Sequence, residues 1–140
     1  MTKVFDVFLY FDGDCREALE FYAQVFDLPV PEEIMTYGEA PGISVSEENR
    51  DRIIYTSLPI YGISVMMSDY PAGSNYVKGT NISLSLGTDD ADEIKRLYAA
   101  LSDGGSINME LGQTFFNDLY AMVTDRFGIT WQFGLAPAEA

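Results

Sequence analysis

Two stretches of this chain pass through the same series of elements, and that repeat limits the fold more than any single motif does. In the first, KVFDVFLYF at residues 3–11 predicts a strand and Asp12-Gly13-Asp14 a turn. CREALEFYAQVF then fits a helix, because Ala18, Phe21, Tyr22, Val25 and Phe26 recur on one face. Asp14 is placed to cap it, with Glu17 completing a capping box, and the prolines of DLPVPEE end it. A short strand at 33–38 and a polar, acidic loop at 40–52 follow, then strands at IIYTSL and ISVMMS joined at Pro59 to Gly62. DYPAGSNYVKG, residues 69–79, reads as a connector.

The second stretch repeats the order. TNISLSLG predicts a strand. TDDADEIKRLYAALSDGG predicts a helix with an acidic first turn, a stripe of Ile94, Leu97, Tyr98 and Leu101, and a glycine stop. SINMELGQTF, LYAMVTD and ITWQFGL predict three more strands. The expected fold is α+β: two βαβββ modules, about 1–70 and 79–137, within one domain spanning 1–140.

Side chains alternate faces along a strand, so parity sorts them. One face collects Phe5, Val7, Leu9 and Phe11; Ile63, Val65 and Met67; Ile82, Leu84 and Leu86; Ile129, Trp131, Phe133 and Leu135. That face is expected to pack under the helices. The other face mixes Asp6, Phe8, Tyr10, Met66, Asn81, Ser83, Ser85, Thr130 and Gln132. A solvated face would carry more Lys and Glu, and a second core layer no Asp or Asn. Small polar groups among aromatic rings suit a pocket lining.

The net charge of −14 argues against nucleic acid and anionic membrane as partners, and it would suit a cationic ligand. The first residues, MTKVFDVFLYFDG, lack the pattern of a signal peptide, and the lone Cys15 has no partner for an internal disulfide. A cytoplasmic protein is expected. Cys15 sits in the first helical turn, but without any histidine in the chain there is no Cys-His pair, and a spectator thiol is the expectation.

YFDGDCREALEFYAQVF, VMMSD, TNISLSLGTDDADEIKRLYAAL and GQTFFNDLYAMVTDRFGITWQF together resemble the PhnB-like branch of the vicinal oxygen chelate superfamily. That superfamily includes glyoxalase I, extradiol dioxygenases and bleomycin-resistance proteins, and the resemblance covers nearly the whole chain. It implies a cupped eight-stranded mixed sheet with helices on its outer face, a homodimer, and a hollow that holds a divalent metal. The ligands would come from the first, fourth, fifth and eighth strands. By register these positions hold Asp6, Met66, Asn81 and Gln132. In the resembling branch the loop carrying Phe115, Phe116, Asn117 and Asp118 borders the cavity, which makes it a candidate lid.

A glutamate at 132 would be an anionic oxygen ligand, whereas glutamine offers only a neutral amide. With a thioether at 66, an amide at 81 and no histidine, neither a metal nor any other cofactor is expected. No Gly-rich loop between strand and helix suggests a nucleotide-like cofactor. The expected function is binding of a small molecule in a metal-free cavity. Asp6, Asn81 and Gln132 would supply the polar contacts, and Phe8, Tyr10, Met66 and Tyr120 the apolar wall. The rival is a divalent-metal-dependent lyase or dioxygenase of the glyoxalase type, with Asp6 and Glu39 or Glu110 building an oxygen-rich site. A metal-free enzyme with Asp6 as general base and a dimerising scaffold without a pocket are further alternatives.

Overall fold

The computed structural model describes residues 1–137. The chain divides into two compact units, Met1–Val77 and the segment from Lys78 onward. Each runs strand, helix, three strands, and each holds one four-stranded mixed sheet, so the α+β class and the tandem βαβββ order are as expected. The first unit extends past residue 70 because the segment read as a connector folds back on its own sheet. The Tyr70 N–H donates to the Phe11 carbonyl (2.7 Å), and the Tyr76 hydroxyl donates to the Tyr10 carbonyl (2.9 Å).

In the first unit, β1 (Val7–Phe11) leads into α1 (Cys15–Val25), then β2 (Met35–Thr36), β3 (Ile53–Ile60) and β4 (Ile63–Asp69). The sheet order is β1-β4-β3-β2, with β1 parallel to β4 and the other pairs antiparallel. Helix α1 packs on β3 and β4, and its Ala18, Leu19 and Tyr22 are fully buried. Leu9, Phe11, Val65 and Met67 lie on the buried face, as parity requires. Phe5 precedes β1 and Ile63 sits at the hairpin end, and both are exposed. The β3–β4 hairpin closes through Tyr61 (φ 50°) and Gly62 (φ 79°), the pair of left-handed residues whose twist matches the strands.

The expected capping box at Asp14 does not form. Asp14 has φ −109°, ψ 21°, and its side chain makes no capping hydrogen bond. The cap comes from Asp69, the last residue of β4, which pairs with Phe11 across the parallel ladder. Its Oδ1 accepts the backbone N–H of Gly13 (2.8 Å) and of Cys15 (3.0 Å), and its Oδ2 accepts the N–H of Ile53 (3.0 Å). A carboxylate there meets the positive end of the helix dipole and satisfies donors that the first turn leaves open. Arg52 secures the same corner: its guanidinium donates to the Asp12 carboxylate (2.8 Å) and to the Tyr70 carbonyl (2.7 Å).

In the second unit, β5 (Leu84–Thr88), α2 (Ala91–Ser102), β6 (Ser106–Gly112), β7 (Tyr120–Thr124) and β8 (Thr130–Leu135) form a sheet of order β5-β8-β7-β6. Asp90 caps α2 by accepting the N–H of Asp92 (3.0 Å) and Glu93 (3.4 Å), and Ile94, Leu97 and Leu101 are fully buried. A Cβ on Gly105 would run into the Thr124 carbonyl oxygen, which is why glycine follows this helix. The fifth strand begins later than expected. Its partner β8 starts at Thr130 and Leu84 pairs with Trp131, so residues ahead of Ser83 have no ladder to join. Asn81 and Ile82 therefore lie outside the strand, and both are exposed. A second buried carboxylate, Asp125, takes the N–H of Phe127 (2.9 Å) and Ile129 (3.1 Å) and the indole N–H of Trp131 (2.8 Å).

Replacing Asp69 by alanine would leave three N–H groups without their acceptor. We expect Asp69→Ala to lose about 3 kcal/mol of stability or more, read as a lower midpoint in urea unfolding. An unchanged midpoint would mean that this cap contributes nothing.

Candidate functional site

The mixed face of the first unit is built on β1 and β4. Phe8 and Tyr10 alternate outward from β1, and Met66 stands beside Phe8 on β4. Asp6 is half-buried and immediately precedes β1. The Phe8 and Tyr10 rings stack at 4.8 Å, 18° apart in plane. Tyr55 on β3 meets Phe8 edge-on at 6.4 Å, and Tyr70 meets Tyr10 at 5.2 Å. Such offset and edge-to-face contacts hold the rings in place. Phe8 remains 38% and Tyr10 46% exposed. Beside Tyr55, a cavity of about 540 Å³ is lined by Glu32, Glu33, Ile34, Met35 and Glu39. Glu39 is engaged: its Oε1 accepts from the N–H (3.1 Å) and the hydroxyl (2.9 Å) of Thr36, and these bonds hold its carboxyl below the usual range.

The mixed face of the second unit centres on Gln132. It stands on β8 between Ser85 of β5 and Met122 of β7. Its amide is fixed at both ends. The Tyr120 hydroxyl donates to Oε1 (2.7 Å), and Nε2 donates to the Ser83 hydroxyl oxygen (2.8 Å). Tyr120 is only 7% exposed, and burial pushes its phenol above the ordinary value. Phe116 packs edge-on against the Tyr120 ring at 4.9 Å.

Asn81 does not reach this cluster, and Ser83 holds the expected position. The last ladder pairs are Phe11–Asp69 in one unit and Thr88–Leu135 in the other. Counting back from them, Met66 corresponds to Gln132 and Asp6 to Ser83. The same count was open to sequence reasoning, because Thr88 and the capping Asp90 mark where the strand ends.

The loop with Phe115 to Asp118 borders a cavity of about 850 Å³, lined also by Asp89, Leu135 and Pro137. Asn117 anchors it: Oδ1 accepts the N–H of Leu119 (2.9 Å) and Leu135 (3.1 Å), and Nδ2 donates to the Leu135 carbonyl (3.3 Å). A side chain at Gly134 would strike Asn117 Nδ2 at 2.6 Å, so β8 carries glycine there. Phe115 is fully exposed. Cys15 is fully buried, and desolvation, with Asp69 and Asp14 nearby, raises its thiol far above the ordinary range, which leaves it inert as a nucleophile at neutral pH.

These donors do not suit a divalent transition metal. Gln132 offers only a neutral amide, and Met66 and Ser83 a thioether and a neutral hydroxyl. Glu110 is exposed on β6, and among the described residues no three His, Cys, Asp or Glu side chains converge.

Tandem βαβββ units are the fold of glyoxalase-type proteins. Residues 4–133 match the model of the Glyoxalase/Bleomycin resistance protein/Dioxygenase superfamily, and the chain belongs to that superfamily. It is similar to protein YjdN of Escherichia coli K12, at 29% identity over 142 residues, covering 94% of this chain and 95% of YjdN. Protein PA1353 from Pseudomonas aeruginosa has a similar structure, with a TM-score of 0.86 at 32% identity, covering 96% of this chain and 98% of that one. The PhnB protein of Bacillus cereus gives a TM-score of 0.80 at 27% identity, covering 96% and 100%. No helix among the described residues is long and apolar enough to cross a membrane.

The raised phenol of Tyr120 has a pH consequence. Between the ordinary phenol value of about 10 and the higher folded value, the unfolded chain loses this proton before the folded chain does. Its contribution is complete below pH 10 and falls as pH rises. Tyr120→Phe should cost about 1 kcal/mol at pH 8, and the gap from the parent protein should narrow above pH 10 in urea titrations. A gap independent of pH would contradict this environment for Tyr120.

Proposed function

We propose that this protein binds a small organic molecule on a mixed sheet face, without a divalent metal. The observation that carries the reading is the hydrogen-bonded run Tyr120–Gln132–Ser83, which sets a neutral amide where a metal enzyme of this type would need an anionic ligand. In the first unit that face carries Asp6, Phe8, Tyr10 and Met66. Phe8, Tyr10 and Tyr55 offer ring faces to a planar or cationic group. In the second unit the corresponding face carries Tyr120 and Gln132, with Ser83 in the role expected of Asn81. The net charge of −14 favours a neutral or cationic ligand over an anion. In this reading the protein is cytoplasmic and works as a homodimer. Ile107 and Met109, exposed on the edge strand β6, support the dimer.

Calorimetric titration of manganese, nickel and zinc into protein stripped with EDTA should show no saturable binding. Stoichiometric binding that disappears in Asp6→Ala would overturn the metal-free reading in favour of a metal-dependent lyase or dioxygenase. Light scattering should give twice the chain mass of 15.6 kDa, and the mass of one chain would exclude the dimer.

A further inference from the structure

The edge of a sheet exposes backbone groups to which another chain can add a strand. The two sheets end on β1 and β2 in the first unit and on β5 and β6 in the second. Three of these four strands are poor templates. β2 is two residues long, β6 breaks register twice against β7, and β5 carries Ser85 and Gly87. β1 reads Val-Phe-Leu-Tyr-Phe, without charge, proline or glycine, a composition that adds strands readily. The ladder fixes which of its backbone groups face outward. The Phe11 carbonyl accepts the N–H of Tyr70, which follows Asp69 on the β4 side. Neighbouring residues of a strand turn their backbone groups to opposite edges, so those of Phe8 and Tyr10 face away from β4.

The segment after β4 closes that edge. The Arg52 guanidinium donates to the Tyr70 carbonyl (2.7 Å), and the Ala72 N–H donates to Asn49 Oδ1 (2.7 Å). The chain then returns to β1, where the Tyr76 hydroxyl donates to the outward carbonyl of Tyr10 (2.9 Å). The rings run in contact, Tyr10 to Tyr70 at 5.2 Å and Tyr70 to Tyr76 at 5.3 Å. We infer that Tyr70–Tyr76 is a strap that blocks β1 against strand addition by a second copy of this chain. An acceptor that the new ladder would need is already bonded, and the Tyr76 ring stands where the incoming backbone would lie. The strap leaves β6 uncovered, so it blocks one route of self-association and not the other, and it does not depend on the ligand-binding reading.

Assembly kinetics of the full chain, followed by thioflavin T fluorescence and light scattering, test the strap. Each variant is compared at the same urea interval below its own unfolding midpoint, so that lost stability is not what is read. Tyr76→Phe keeps the ring and loses the hydrogen bond, Asn49→Ala loosens the strap without touching β1, and Tyr76→Ala removes bond and ring together. The assembly half-time should shorten about threefold in Tyr76→Phe and Asn49→Ala and about tenfold in Tyr76→Ala. Adding Phe8→Lys to Tyr76→Phe places a charge on the opened edge and should return the half-time to that of the parent protein. Tyr76→Phe and Asn49→Ala carry the test if Tyr76→Ala does not fold. Half-times unchanged from the parent would overturn the strap. So would an acceleration that Phe8→Lys does not reverse, since another segment would then be nucleating the assembly.

Discussion

The first unit depends on one buried carboxylate. Asp69 ends β4, but its oxygens reach the turn before α1 and the start of β3, so a single side chain fixes where a helix begins and how two strands register. A charge in that place is tolerable only because N–H groups surround it. Asp125 does comparable work in the second unit, where it closes the β7–β8 turn and holds the Trp131 indole. In both units the apolar packing supplies most of the stability, and the buried acid decides which arrangement the packing takes.

The mixed faces follow from that order. Once the helices cover one side of each sheet, parity sends Phe8, Tyr10 and Met66, or Ser83 and Gln132, to the other. The two faces differ in chemistry. The first is a set of touching rings with one carboxylate at its margin, and the second a directed chain of hydrogen bonds. A superfamily fold that hosts many reactions through changes at a few positions is consistent with both.

Much of this was legible in the sequence, for reasons that differ by element. The α2 stripe and its Asp90 cap involve residues within one or two turns of each other, so periodicity and spacing expose them. The faces of β1, β4 and β8 came from strict alternation. The cap of α1 was misread because its acceptor lies more than fifty residues away, where no local pattern points to it. Asn81 was misread because strand limits are set by the partner strand: β5 begins only where β8 is there to meet it. Parity remained correct through that shift, since 81 and 83 share a face, and the polar position moved by one step along the same side.

The lone tryptophan has a practical meaning beyond the turn that it closes. Trp131 lies in the second unit with its indole bonded to Asp125, and the first unit has no indole at all. Excited at long wavelength, the protein reports only on its C-terminal half, while circular dichroism sees the helices of both. Were the halves to melt separately, the two signals would part company along the denaturant axis. Were they to melt together, the curves would overlay, and the repeat would behave as one cooperative block.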